Sequence, residues 1–149
     1  MSSLVDTNIL TRSIHKTDPL HQVALDAVAS LRRQNEELCL VPQNLYEFWV
    51  VCTRPIAQNG LGMSVGEMLT EINSLKQLFT LHQDTPALLP QWERLVIQYQ
   101  VVGKNAHDAR LVAAMNVHGI SGLLTFNTQD FQRYQGIVLL SPQQIVSTP

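Results

Sequence analysis

Five short apolar runs punctuate this chain: 2–5 (SSLV), 37–41 (ELCLV), 78–82 (LFTLH), 122–126 (GLLTF) and 136–140 (GIVLL). Each has the length of a buried strand, and the stretches between them carry apolar residues at helical spacing. Asp18-Pro19 reads as an N-cap followed by proline at the first helical position, and Val23, Ala24, Ala27, Val28 and Leu31 extend that helix to about Arg33. Pro42 opens a second helix to about Thr53, and Arg54-Pro55 ends it because proline pushes the preceding residue out of the helical region. The segment 56–63, with two glycines and an asparagine, reads as a loop. Ser64 and Glu67 have the spacing of a capping box and start a third helix. Thr85-Pro86 leads a fourth to about Val101, and Asn105 caps a fifth that runs to His118 and stops at Gly119.

The resulting order is β-α-β-α-α-β-α-α-β-β, with a short turn at Asp130-Phe131 before the last strand. Strands this apolar, alternating with helices, belong in a parallel sheet covered on both faces. The expected fold is therefore α/β, a three-layer α/β/α sandwich with a five-stranded parallel sheet. The 149 residues are expected to form one domain, 1–149, long enough to bury a core.

Composition narrows the function classes. Hydrophobic content of 45%, charged content of 15% and a net charge of -2 describe an ordinary globular chain, not one that holds nucleic acid by a general positive field. No apolar run approaches the roughly 20 residues of a membrane span. The N-terminal segment carries Asp6 and lacks a basic stretch followed by an apolar run, so it does not read as an export signal. Cys39 and Cys52 sit in apolar segments and read as reduced core thiols, which suits a cytoplasmic setting. Two cysteines are too few for a cysteine-based zinc site, and His15, His21, His82 and His118 show no ligand spacing.

Acidic residues recur where strands end or helices begin, and there an open α/β sheet gathers its ligand groups. Asp6 follows the first strand, with Thr7 and Asn8 adding oxygen groups; an Asx-turn cap is the competing reading. Glu47 lies in the second helix one turn after Gln43 and is expected to head a stripe with Val50 and Val51. Asp108 heads the stripe Leu111, Val112 and Met115 in the first turn of the last long helix. For both helical acids, the alternative is simple stabilisation by the helix dipole. Thr125, Asn127 and Asp130 close the set after the fourth strand, where turn chemistry is the alternative for Asn127. Acids gathered from four parts of a chain repel unless something positive joins them, and a hard divalent cation is the simplest candidate. Arg12, Lys16, Lys104 and Arg110 are candidate phosphate-holding groups, though each also reads as a solvated surface charge. His107 points away from Asp108, and Tyr46, Phe48 and Trp49 read as packing groups.

The segments LVDTNILTR, NLYEFWVVCTRP, NGLGMS, NAHDARLVAAMNVHGISGLLTFNTQDF and IVLLSPQQI together resemble a PIN domain of the VapC toxin kind, over essentially the whole chain. The resemblance implies an Mg2+- or Mn2+-dependent endoribonuclease that leaves a 5′-phosphate, acts as the toxin of a toxin–antitoxin pair, forms a homodimer, and is inhibited by a small antitoxin protein. The family's acids map onto Asp6, Glu47 and Asp108 by direct motif match. Many members carry an aspartate where this chain has Asn127, and Asp130 is the substitute carboxylate. On this reading Asp6, Glu47, Asp108 and Asp130 are catalytic metal ligands, with Thr7, Asn8, Thr125 and Asn127 in support and Arg12, Lys104 and Arg110 on the RNA. A haloacid-dehalogenase-type phosphatase would need an aspartate at Asn8, and no glycine-rich loop marks a nucleotide-binding domain. The alternative from another class is a catalytically weak PIN-like binding module.

Overall fold

The computed structural model describes residues 1–148. Five parallel strands, β1 (Ser2–Val5), β2 (Glu37–Leu40), β3 (Thr80–Leu81), β4 (Gly122–Leu124) and β5 (Val138–Leu140), form one sheet in the order β3-β2-β1-β4-β5. Seven helices connect and flank them: α1 (Thr7–Ile14), α2 (His21–Arg33), α3 (Pro42–Thr53), α4 (Val65–Leu78), α5 (Leu88–Gln98), α6 (Asn105–His118) and α7 (Pro142–Ser147). The three-layer α/β/α sandwich expected from the sequence is what forms.

Two cores divide the sheet faces. One packs Leu4, Cys39 and Leu123 against Leu95 of α5 and Leu111, Val112 and Met115 of α6. The other packs Val5, Leu40 and Leu124 against Ile9 and Leu10 of α1, Ala24, Ala27 and Leu31 of α2, Phe48 and Cys52 of α3, and Met68 and Leu75 of α4. Successive strand residues point to opposite faces, so Leu4 and Val5 serve different cores, as do Cys39 and Leu40. Complete burial of Leu4, Val5 and Leu124 makes each of them a position where truncation to alanine costs about 2–5 kcal/mol.

Most boundaries follow the local signals. Ser64 and Glu67 form the capping box at the start of α4, with reciprocal bonds of 3.1 and 3.0 Å. Arg54 ends α3, and Gly119, at φ +68°, ends α6 in a left-handed conformation that glycine adopts without strain. Gly122 allows β4 to lie close to β1, since a side-chain carbon there would stand 2.3 Å from Ser3 Oγ.

Four expectations need correction. Asp18 caps a turn, accepting from the Leu20 amide at 2.8 Å, and α2 begins only at His21. Asn105 is already helical, with Lys104 at the cap position of α6. Helices α1 and α7 were not expected. The first is eight residues rich in β-branched side chains, poor material for an isolated helix. It forms because Ile9 and Leu10 bury against the sheet and because Asp6 caps it, accepting from the Thr7 amide at 2.7 Å. The six residues of α7 follow Ser141 with proline in the first turn and dock on α2.

Candidate metal centre

In this strand order the chain runs outward from β1 in both directions: β2 and β3 lie on one side, β4 and β5 on the other. The crevice at the carboxyl ends of β1 and β4 is the topological switch point, where open α/β sheets bind ligands. Asp6 leaves β1 at that point and Thr125 leaves β4 beside it.

Asp6 is 8% exposed. Its amide donates to Leu124 O at 2.9 Å, which fixes the chain exit against β4. Oδ1 accepts from the Thr7 amide, and Oδ2 accepts from Thr125 Oγ1 at 2.8 Å and more weakly from Asn8 Nδ2 at 3.4 Å. Asp6 thus caps α1 through Oδ1 while its Oδ2 is held by Thr125 and Asn8. Thr125 is fully buried and ties the 6–8 segment to its own, because its Oγ1 also accepts from the Asn127 amide at 3.0 Å and from Asn8 Nδ2 at 3.3 Å. Asn8 Oδ1 accepts in turn from the Phe126 amide at 3.3 Å. These bonds assign Thr125 and Asn8 the work of orienting Asp6.

Glu47 comes from the second turn of α3. The buried stripe of that helix is Asn44, Phe48 and Cys52, not the expected line through Val50 and Val51; Val50 is 54% exposed. Glu47 flanks the stripe and is half-buried. Its partner is Gln43, whose Nε2 donates at 2.8 Å both to Glu47 Oε1 and to His107 O of α6. Gln43 Oε1 accepts from Arg110 Nη1 at 3.0 Å, and Arg110 Nη2 pairs with Asp84 Oδ2 at 2.9 Å. One buried glutamine therefore ties the opening turns of α3 and α6 together. Asn44 does the same for α1 and α3, accepting from the Val41 amide at 2.9 Å and donating to Thr7 Oγ1 at 3.4 Å. The sequence reading did not single out either amide. The available signal was a pair of polar residues at the start of a helix whose opening turn is otherwise apolar.

Asp108 stands in the first turn of α6, above the fully packed residues Leu111, Val112 and Met115. Asp130 is exposed in a short 3-10 turn (Thr128–Phe131) after β4, and Asn127 is exposed just before it. The four acids lie close enough for their charges to act on Asp6 and Asp108. Burial raises Asp6 to about 6, the charges of Glu47 and Asp130 add to the rise, and the bonds from Thr125 and Thr7 oppose it. Burial likewise raises Asp108 to about 6, followed by the charges of Asp6, Asp130 and Glu47, with His107 opposing. Among the described residues no lysine or arginine forms an ion pair with any of the four.

An all-oxygen donor set carrying up to four uncompensated negative charges fits a hard divalent cation of the Mg2+ class. The four acids bring no three oxygens within 4.8 Å of one another; among the described residues only Glu37, Cys39 and His82 gather three ligand atoms that closely. That spacing suits a small, strongly hydrated ion that keeps several of its waters.

The basic candidates differ in commitment. Arg12 lies over the Phe126 ring at 4.8 Å, donates to Asn8 O at 3.4 Å and stands 3.6 Å from Asp18. With His15 and Lys16 it borders a groove of about 850 Å³ whose far side is Ile56, Leu61 and Met63. Lys104, one turn before Asp108, is exposed. Arg110 is held by Gln43 and Asp84. Both cysteines are free and buried, and burial pushes the Cys39 thiol up to about 12 and Cys52 to about 11.

No family model and no curated protein sequence matches this chain. Solved structures do. The chain is similar to one in the VapBC-1 structure from nontypeable Haemophilus influenzae, at 15% identity and a TM-score of 0.68, covering 96% of this chain and 99% of that one. It is similar to one in VapBC2 from Rickettsia felis bound to a promoter DNA fragment, at 16% identity and 0.66, covering 95% and 98%. It is also similar to VapC20 of Mycobacterium tuberculosis, a toxin that cleaves the sarcin–ricin loop, at 19% identity and 0.65, covering 87% and 93%. Across nearly the full length of each, this chain has the fold of these VapBC and VapC structures.

Proposed function

We propose that this protein is a divalent-metal-dependent endoribonuclease, the toxin of a toxin–antitoxin pair. The observation that carries the reading is the set of four unpaired acids at the switch point, one of them buried beneath Thr125 with its pKa raised to about 6. A buried carboxylate in that state costs several kcal/mol unless a cation joins it, which favours a cation site over a helix cap alone. The fold shared with VapBC and VapC structures supplies the biological context.

Asp6 and Asp108 would hold Mg2+ or Mn2+ most directly, with Glu47 and Asp130 acting through water or on a second ion. When bound, the ion supplies Lewis acidity and a water of lowered pKa for in-line displacement at phosphorus. Thr125 and Asn8 keep the Asp6 carboxylate aimed into the crevice. Gln43 fixes Glu47 where it can orient, or accept a proton from, an attacking water, and Asn127 completes the rim beside Asp130. Lys104 would receive a backbone phosphate next to Asp108, Arg12 would hold the strand farther along, and Arg110 would mainly steady Gln43. The single chain would work in the cytoplasm as a homodimer. The groove between Arg12 and Met63 and the exposed face of α3 around Tyr46 are surfaces for a small antitoxin or a second copy; among the described residues no helix is long and apolar enough to cross a membrane.

The test is cleavage of a labelled mixed RNA pool with and without Mg2+ or Mn2+. Asp6→Asn and Asp108→Asn should each lower metal-dependent cleavage by at least roughly 100-fold while the fold persists. Failure of folded, antitoxin-free protein to cleave any RNA would favour a binding module, the reading that Asn127 supports by replacing a carboxylate, whereas variants that cleave like wild type would take Asp6 and Asp108 out of the catalytic role.

A further inference from the structure

We propose that Glu37, Cys39 and His82 form a second metal site, separate from the acidic crevice and suited to a transition cation of the zinc class. One ligand atom from each residue lies within 4.8 Å of the other two. The cause is strand register. Cys39 pairs with Thr80 across the parallel β2–β3 ladder, and alternation puts Glu37, Cys39, Thr80 and His82 on one face of the sheet. The same face carries α6, whose C-terminal His118 stacks on the His82 ring at 4.8 Å and 32° and limits its rotation.

The Cys39 thiol donates directly to Glu37 Oε1, and a metal would take the place of that proton. Cys39 Sγ stands 3.4 Å and His82 Nε2 3.9 Å from Glu37 Oε1. The second distance is beyond hydrogen-bond reach. Zinc bond lengths of about 2.3 Å to sulfur and about 2.0 Å to oxygen and nitrogen place tetrahedral neighbours roughly 3.3–3.5 Å apart. Sulfur and oxygen are therefore already at ligand spacing, and the imidazole has to move in toward both. Thiolate, imidazole and carboxylate together select Zn2+ or Co2+ over Mg2+, the reverse of the all-oxygen crevice.

Access and consequence follow from position. Cys39 is fully buried and forms the floor, while the Glu37 side chain is 56% exposed and opens the site to solvent. Binding exchanges the Cys39 proton for the metal, and that proton leaves to solvent with no redox change. Asp108 and His118 are ten residues and about 15 Å apart on α6, at opposite ends of the helix. The ion would bridge β2 to β3, an edge strand of two residues, and act as a structural clamp on that edge.

The measurement is a Co2+ titration of the full chain in excess Mg2+, followed by the thiolate-to-cobalt charge-transfer band and repeated by calorimetry with Zn2+. One equivalent should produce the band in wild type. Cys39→Ser should remove it, Cys52→Ser should keep it, and His82→Ala and Glu37→Gln, at half-buried and exposed positions respectively, should weaken Zn2+ binding by at least roughly tenfold. Folded wild type that saturates with Co2+ without the band overturns the site. So does a band or Zn2+ affinity unchanged in His82→Ala and Glu37→Gln, a result that holds even if Cys39→Ser unfolds.

Discussion

Two ends of one helix bring different chemistry to the same sheet. At the N-terminus of α6, Asp108 stands with Asp6, Glu47 and Asp130 in a set of hard oxygen donors, two of which, Asp6 and Asp108, are raised by burial and by the neighbouring charges. At its C-terminus, His118 stacks over a corner that mixes sulfur, nitrogen and oxygen. The first cluster is assembled by the switch-point topology, which collects residues from four separate segments. The second is assembled by the register of a single strand pair. The difference shows that sheet order chooses where charges converge, whereas ladder register chooses which side chains touch.

The largest expected effect separates the two ends outright. A double variant, Asp6→Asn with Asp108→Asn, should lose Mg2+-dependent RNA cleavage by at least roughly 100-fold yet keep the Co2+ charge-transfer band. Loss of both signals would show one coupled site.

Next in size is a pH effect on the metal-free protein. Asp6 titrates near 6 in the folded chain against 3.8 in the reference state. Between those values the folded state holds more protons than the unfolded, so this group's contribution to stability falls as pH rises, by about 3 kcal/mol once above both. In chelator, wild type should therefore melt lower at pH 7.5 than at pH 5, measured relative to Asp6→Asn, which lacks the titration. Added Mg2+ should close the gap at pH 7.5 and do little at pH 5, where protons occupy the ligands. An Asp6→Asn variant with the same pH dependence as wild type would remove the buried-charge argument.

Gln43→Ala sharpens the acidic end alone. It leaves His107 O, Glu47 and Arg110 without their shared partner, which should cost about 1–3 kcal/mol. It should also lower cleavage by roughly tenfold through misplacement of Glu47. A positioning role further predicts weakened Mg2+ affinity and partial rescue by Gln43→Glu, which can still accept from Arg110. A loss of stability with normal kcat and Mg2+ affinity would make Gln43 only a structural tie.

Thr125→Val should have the smallest effect. It keeps the shape and removes the hydroxyl that donates to Asp6, for about 1–2 kcal/mol. Because that bond holds the Asp6 pKa down, the acidic limb of the pH–rate profile should move to higher pH. An unmoved limb would mean that Asp6 titration does not govern rate.

How much was legible beforehand depends on the range of the interaction involved. Strand-like runs, the Ser64–Glu67 capping box, the Pro55 and Gly119 stops and the acids near element ends are written in adjacent residues, so the sandwich, and the position of each acid along it, were readable from the chain. The stripe of α3 was misread because helical spacing alone does not say which face a sheet will cover; Phe48 and Cys52 won over Val50 and Val51 once the helix docked. The helix α1 escaped notice because its propensity is poor and its stability comes from Ile9 and Leu10 against the second core. Gln43, Asn44 and Thr125 acquire their roles from partners 37 to 119 residues away, and the company of Glu37, Cys39 and His82 depends on a register that no local pattern encodes. The sequence by itself determined the periodicities, the caps and the supply of acids, because those are local free energies. Only the tertiary structure decided which faces are buried, which amides orient the acids and how far their pKa values rise, because burial and Coulomb energies exist only after distant segments meet.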